Sequence, residues 1–315
     1  MTAVRVLLAA LALSMGSAGA AAFQISEPTA DRWMYPFINT TPGLRTGAPV
    51  FGAVGDARFD DRDGQFLVRF DTTGIVAAGL GTANYTVSAL RLTLTVAESN
   101  SFRYDPTADA LATYDGTGVD ADDGRPVELF GVGYRGGFTR ATFRPEPSIS
   151  PAVESTPFTL GSPLTEGSRI AFAAGDVGGG ISGDVSNNVR DAFEPTAFSI
   201  GQIAGLVAGS LVPLEREMTF DLNLVDPFVL AYVREGLDAG VIEFMVTSLN
   251  QAVQEVGGSN PSFYTKENAN HDPAFGDFLA GRLSGDLAAV PEPSAVVLVG
   301  IAGLFAIWRW RRARV

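Results

Sequence analysis

Between Ser88 and Val96 the chain reads SALRLTLTV, which puts Leu90, Leu92, Leu94 and Val96 on one face and Arg91, Thr93 and Thr95 on the other. A two-residue period sustained over nine positions predicts a half-buried antiparallel strand. Glu217 to Leu224 (EMTFDLNL) repeats the pattern, with Met218, Phe220, Leu222 and Leu224 inward. Gln65 to Phe70 (QFLVRF) follows the turn dipeptide Asp63-Gly64 and reads as another strand. Further strands are expected at Val127 to Tyr134, Arg169 to Ala174 and Val241 to Leu249. Helical signals are sparse. Asp226-Pro227 offers an N-cap with proline at the first helical position, and Phe228 to Leu237 carries the apolar spacing before Gly240. A second short helix is expected over Ile200 to Ala208. Thr142 to Gly167 and Gly175 to Asn188 are rich in Gly, Pro, Ser and Asp and read as loops. No clean closing strand is evident after Pro273, and residues 281–289 read as a linker. With no internal repeat, residues 23–280 are expected to form one all-β domain, an antiparallel β-sandwich with one or two short helices.

Composition agrees with this class and narrows the chemistry. In 315 residues, 46% are hydrophobic and 18% charged, so a sizeable core can form, and 36 glycines with 18 prolines favour turns over long helices. The formal net charge is −13. The two termini (residues 1–22 and 290–315) hold five of the 22 basic residues and only one of the 35 acids, so the body between them carries −17. Nucleic-acid binding, which needs a basic footprint, is disfavoured. The absence of cysteine excludes disulfides and thiolate chemistry, and the single histidine, His271, excludes a multi-histidine metal site.

The two ends have a different character. Residues 1–22 contain a basic Arg5, an apolar run from Val6 to Leu13 and an Ala20-Ala21-Ala22 motif before Phe23. These are the three parts of a cleaved secretory signal, with a cut after Ala22 or after Ala20. At the other end the chain reads VPEPSAVVLVGIAGLFAIWRWRRARV. The 14 apolar residues from Ala295 to Trp308 would extend about 21 Å as a helix, short of a ~30 Å hydrocarbon core. Trp308 and Trp310 suit an interface, and Arg309, Arg311, Arg312 and Arg314 would remain cytoplasmic. Residues 290–315 resemble the PEP-CTERM sorting signal in the order of their parts: Pro291-Glu292-Pro293, a short hydrophobic transmembrane helix and terminal arginines. The resemblance implies an exosortase-type membrane protease as partner. It also implies transient anchoring in the inner membrane of a Gram-negative-type bacterium, followed by delivery to the cell surface or an extracellular polysaccharide matrix.

The body resembles the DNRLRE-type extracellular jelly-roll domains in Gln65 to Asp71 (QFLVRFD), Val87 to Val96 and Pro261 to Asn268 (PSFYTKEN), with Phe220 to Gly236 between them. The family's W-x-E segment is not evident. The resemblance implies a jelly-roll-like sandwich and, for some members, polysaccharide binding.

Candidate chemistry is confined to a few places. Asp60-Asp61-Arg62-Asp63-Gly64, with Asp56 nearby, could hold Ca²⁺ or form a solvated hairpin turn; an EF-hand alignment fails because Phe59 falls at the first ligand position. Asp120-Ala121-Asp122-Asp123-Gly124 is a second acidic turn of the same ambiguity. Trp33, Tyr35, Tyr104, Tyr114, Tyr134 and Tyr264 could stack on sugar rings or sit in the core with satisfied polar tips. His271 lies in a polar run and is expected to face solvent, and no G-x-S-x-G nucleophile motif accompanies it. No catalytic residue can be named. The favoured expectation is therefore an exported carbohydrate-binding or structural β-sandwich, against a secreted polysaccharide lyase or hydrolase and a purely structural or adhesive matrix component.

Overall fold

The structure, a computed structural model, describes residues 21–35, 46–120, 122–144, 169–252, 260–272, 276–277 and 279–289. The Pro-Glu-Pro motif, the apolar tail, most of the leader and most of the 142–167 loop lie outside the described residues. Among the described residues no helix is long and apolar enough to cross a membrane.

Strand is the predominant regular structure of the described residues. In order the strands are β1 (Ala21–Ile25), β2 (Ala30–Met34), β3 (Gly47–Pro49), β4 (Phe51–Gly52), β5 (Arg62–Asp71), β6 (Tyr85–Thr95) and β7 (Val127–Tyr134). They continue as β8 (Ala171–Asp176), β9 (Ser182–Asp184), β10 (Ser199–Ile200), β11 (Glu217–Asp221), β12 (Val241–Ser248), β13 (Ser262–Tyr264) and β14 (Arg282–Ala289). Two α-helices join them, α1 (Leu111–Asp115) and α2 (Pro227–Asp238). One sheet runs β1-β14-β6-β11; a larger one runs β2-β5-β12-β7-β8-β9, with β10 on β7 and β4 on β5; β13 and β3 form a small third. All ladders between the named strands are antiparallel.

The sequence period explains how these sheets meet. Leu90, Leu92 and Leu94 of β6, Met218 and Phe220 of β11, and Leu283 and Leu287 of β14 point into one core with Phe66, Val68, Phe70, Leu129, Ile242, Phe244 and Val246 of the larger sheet. The two sheets thus share one apolar interior in a β-sandwich-like arrangement. On the smaller sheet Arg91 and Asp221 are exposed on the other face, as the alternation requires. The larger sheet differs: Leu67, Phe130, Val132, Ala171, Ala173 and Met245 on its far face form a second core under Phe143, Ile170 and Val185. Its central strands are therefore covered on both sides, and the polar residues that interrupt their apolar runs are buried too.

Helix α2 forms as its cap predicts. Asp226 accepts a hydrogen bond from the Phe228 amide at 2.8 Å, Pro227 occupies the first turn, and Val229, Val233 and Leu237 face the core. Gly240, at φ 74, ends the connection in a conformation that disfavours any side chain. Asp226→Ala is expected to cost about 1 kcal/mol of stability, read as a lower denaturant midpoint at unchanged slope.

Two expectations are corrected. Residues 200–208 are not helical: Gln202 pairs with Thr219 in both directions, and Gly205 and Gly209 adopt φ 73 and 80, which breaks helical geometry. The apolar residues there serve strand edges and turns. Residues 282–289 are not a linker either. They form β14, a central strand paired with β1 on one side and β6 on the other. Its alternation is hidden in the sequence by Gly285, where a Cβ would collide with the Ala89 carbonyl and come within 3.1 Å of the Phe23 ring. The 175–188 stretch, read as loop, contains the end of β8 and all of β9.

The register gives the molecule two poles. β14 ends at Ala289 opposite Tyr85, the first residue of β6, and Ala21 at the start of β1 lies opposite Leu287. Both chain ends therefore leave the body at one pole. The opposite pole holds the end of β6, the start of β11 (Glu217 opposite Thr95), the end of β12 and the start of β7 (Ser248 opposite Val127).

Candidate functional site

The segment from Val96 to Pro126, between β6 and β7, carries α1 and the second acidic turn, and it sits at the pole away from the chain ends. Together with Leu211 and Leu249 to Gln251 it encloses a cleft of about 660 Å³. Asn100, Arg103, Tyr114, Asp120, Asn250 and Gln251 are among its polar walls. Amide, guanidinium and carboxylate groups of this kind can bind the hydroxyls of a polar ligand.

The acids beside this cleft come from the two sides of α1: Asp105 and Asp109 precede it and Asp122 follows it. Asp105, Asp109 and Asp122 each offer one oxygen atom, all within 4.8 Å of one another. Thr107 ties two of them together: its amide and hydroxyl donate to Asp105 Oδ1 at 2.9 and 2.8 Å, and its Oγ1 is 3.1 Å from Asp122 Oδ2. Tyr114 donates its hydroxyl to Asp109 Oδ2 at 2.7 Å. Arg125 pairs with Asp120, stands 3.7 Å from Asp109 and lies over the Tyr114 ring. Gly124, at φ 119, lets the acidic turn close onto Asp105, because a Cβ there would meet the Arg103 carbonyl at 3.0 Å.

Crowding and burial shape the titration of the cluster. Burial, with the charges of Asp105 and Asp120, pushes the Asp109 carboxyl up to about 6, against the lowering pull of Tyr114 and Arg125. Burial also raises Asp105, helped by Asp122 and Asp120 and opposed by Thr107. The Tyr114 phenol is raised as well, first by burial, then by the charge of Glu128 and its bond to Asp109. These groups hold negative charge under tension, which is the condition in which a cation or a proton is welcome.

The first acidic segment is neither a turn before its strand nor solvated: Arg62, Asp63 and Gly64 lie within β5, and Asp60, Asp61 and Asp63 are buried. Asp56 binds Arg58 through both oxygens, which pulls its carboxyl down to about 2. Asp60 pairs with the fully buried Arg169 and accepts from Asn187 Nδ2 at 2.8 Å. Asp61 is buried and accepts the Arg190 amide at 2.8 Å; burial raises its carboxyl. Asp63 is fully buried, and its charge adds to the burial that raises the Tyr35 phenol to about 12. The sequence placed Asp56, Asp60, Asp61 and Asp63 as one calcium candidate, but the fold commits Asp56, Asp60 and Asp61 to bonds within the protein and gathers none of the four into the acid cluster.

The aromatic candidates also divide. Trp33 is buried and stacks on Tyr35 at 4.9 Å, with Phe51 edge-on to both. Tyr104 is buried, with its hydroxyl accepting the Ile203 amide at 3.0 Å. Tyr134 donates to buried Glu243 at 2.7 Å. Tyr264 is buried but edges a second, smaller cleft with Glu98 and Ser262. Of the six, Tyr114 alone borders the acid-lined cleft. His271 does not face solvent as a loop histidine: it is partly buried, and its Nδ1 accepts the amides of Leu279 and Ala280 at 3.1 Å each, which fastens its loop to the approach to β14. Asp105 and Asp109 had no sequence signal beyond being acids in a polar loop, 13 to 17 residues from Asp122.

No family model and no curated protein matches this chain. The reading of the cleft therefore rests on its own chemistry.

Proposed function

We propose that the chain is an exported, non-catalytic carbohydrate-binding protein, sorted by an exosortase-type protease to the cell surface or extracellular matrix, and that the acid-lined cleft of a jelly-roll-like sandwich is its binding surface. The observation that carries this reading is polarity. The chain leaves β14 toward Pro291-Glu292-Pro293 at one pole, while the cleft opens at the other. A body held at the membrane by its tail would present the cleft outward. The strand β1 supports the leader reading in a specific form: cleavage after Ala20 would leave β1 whole, whereas cleavage after Ala22 would leave only Phe23 to Ile25 of it. Binding is favoured because the amide, guanidinium and hydroxyl groups of the cleft walls suit sugar hydroxyls, and the Tyr114 ring borders them.

The test has two arms. Mass spectrometry of the mature protein from its own cells is expected to find a C-terminus upstream of Ala295; a chain still carrying Arg314 would remove the sorting reading. A glycan array is expected to show binding that Tyr114→Ala weakens at least about tenfold, since ring stacking and the cleft wall are lost together. Retained surface location with no glycan bound would leave a structural matrix role instead.

A further inference from the structure

We propose that Asp105, Asp109 and Asp122 form a divalent-cation site of the Ca²⁺ class beside the cleft. Asp105 and Asp109, from the irregular segment before α1, and Asp122, from the bend after it, place one oxygen each within 4.8 Å of one another. Proximity alone would be unremarkable for an acidic protein. The independent observation is Asp105 itself: the residue is 2% exposed, and its Oδ2 is buried without a hydrogen-bond partner while Oδ1 is taken by Thr107. A buried carboxylate oxygen lacking a donor loses its hydration with nothing in return. A cation bound between Asp105 and its neighbours removes that cost.

The donor set selects the kind of cation. All the available ligands are oxygens, the chain has no cysteine, and His271, its one histidine, lies elsewhere, so the site suits a hard ion rather than zinc or copper. Ca²⁺ takes about 6–8 oxygens in irregular geometry, which three carboxylates from irregular segments can begin and water or ligand hydroxyls can complete. Arg125 is held by Asp120 and stops 3.7 Å from Asp109, so it trims the negative charge without filling the position between the three acids. Asp122 is only partly buried, which leaves a face of the site open toward the cleft. A cation there would polarise the hydroxyls of a sugar lying in the cleft. This last coupling rests on the carbohydrate reading; the cation site does not.

The experiment is calorimetric titration of the full chain with CaCl₂, with MgCl₂ and a matched KCl series as controls, beside thermal unfolding. Expected is one saturable site with a dissociation constant of about 10⁻⁴–10⁻³ M, as in extracellular calcium modules, and a rise in Tm that KCl does not reproduce. Asp109→Asn and Asp122→Asn should each weaken binding at least about tenfold, while circular dichroism shows the fold retained. Asp105→Asn is less informative, because the residue is buried. No Ca²⁺ response up to about 10 mM, ten times the weak end of that range, overturns the site, as does an unchanged response in both variants, which would place the ion elsewhere on the acidic surface. Glycan binding with and without EDTA separates the two readings. Binding that survives EDTA with no Ca²⁺ response sinks the cation and leaves the carbohydrate reading. A Ca²⁺ response abolished by Asp122→Asn with no glycan bound supports the cation and sinks the carbohydrate.

Discussion

Replacing Glu243 with alanine is expected to lower the free energy of unfolding by about 3–5 kcal/mol, a large share of the ~5–15 kcal/mol that holds a domain together. Glu243 lies on β12 directly opposite Arg69 of β5, with its side chain wholly buried. Its Oε1 accepts Arg69 Nε at 2.6 Å; its Oε2 accepts Arg140 Nε at 3.0 Å and the Tyr134 hydroxyl at 2.7 Å. Arg69 also donates to the carbonyls of Arg140 and Phe143, so the network fastens the 135–144 loop over the second core. Removing the carboxylate leaves two guanidinium groups facing each other in a poorly hydrated space, and the penalty is mainly that of the orphaned charges. Glu243→Gln keeps the shape and should cost nearly as much, which separates charge from packing. Urea denaturation followed by fluorescence would measure both. A loss under about 1 kcal/mol, the worth of an exposed pair, would mean that the network is hydrated and of little consequence.

Arg169→Met is expected to cost a comparable ~3–5 kcal/mol. The guanidinium is fully buried, pairs with Asp60, and donates to the carbonyls of Met34, Arg62 and Asp63. Methionine fills much of the volume but supplies no donors, so one carboxylate and three carbonyls each lose a donor at once, although the Arg62 carbonyl keeps Gln65 Nε2 at 2.9 Å. Asp60 would keep only Asn187 among its side-chain donors named above. A double-mutant cycle with Asp60→Asn isolates the pair: a coupling of about 0.5–3 kcal/mol is expected, because the neutral amide no longer needs the cation. Additive single losses would show that Arg169 acts through the carbonyls alone.

These two networks mark the limit of what could be read along the chain. The strand at Ser88 to Val96, the strand at Val127 to Tyr134 and the cap at Asp226 follow from period-two alternation and a capping side chain, both local properties. In the same way, the acidic segment at residues 60–63 looked like a metal site because its charges are adjacent in sequence. The arginines that pair with Asp60 and Asp61, Arg169 and Arg190, come from more than a hundred residues away. Arg69 and Glu243, separated by 174 residues, meet only through the β5–β12 register. Strand β14 escaped notice because a glycine demanded by the close approach of Ala89 replaces one of its alternating side chains. The aromatic residues were equivocal for a related reason: a large ring with a polar tip suits either a core or a cleft, and only packing chooses.

The amino-acid sequence by itself determined the β class, the position of the one long helix among the described residues, the excess of acid in the body and the distinct character of the two ends. Each depends on residue types within a few positions of one another. The tertiary structure decided which charges are buried in pairs, that Tyr114 lines the cleft while Trp33 joins the core, and that Asp105, Asp109 and Asp122 converge at the pole away from the tail. Those outcomes depend on strand register and loop closure, which bring together residues whose separation in the chain carries no trace of their distance in space.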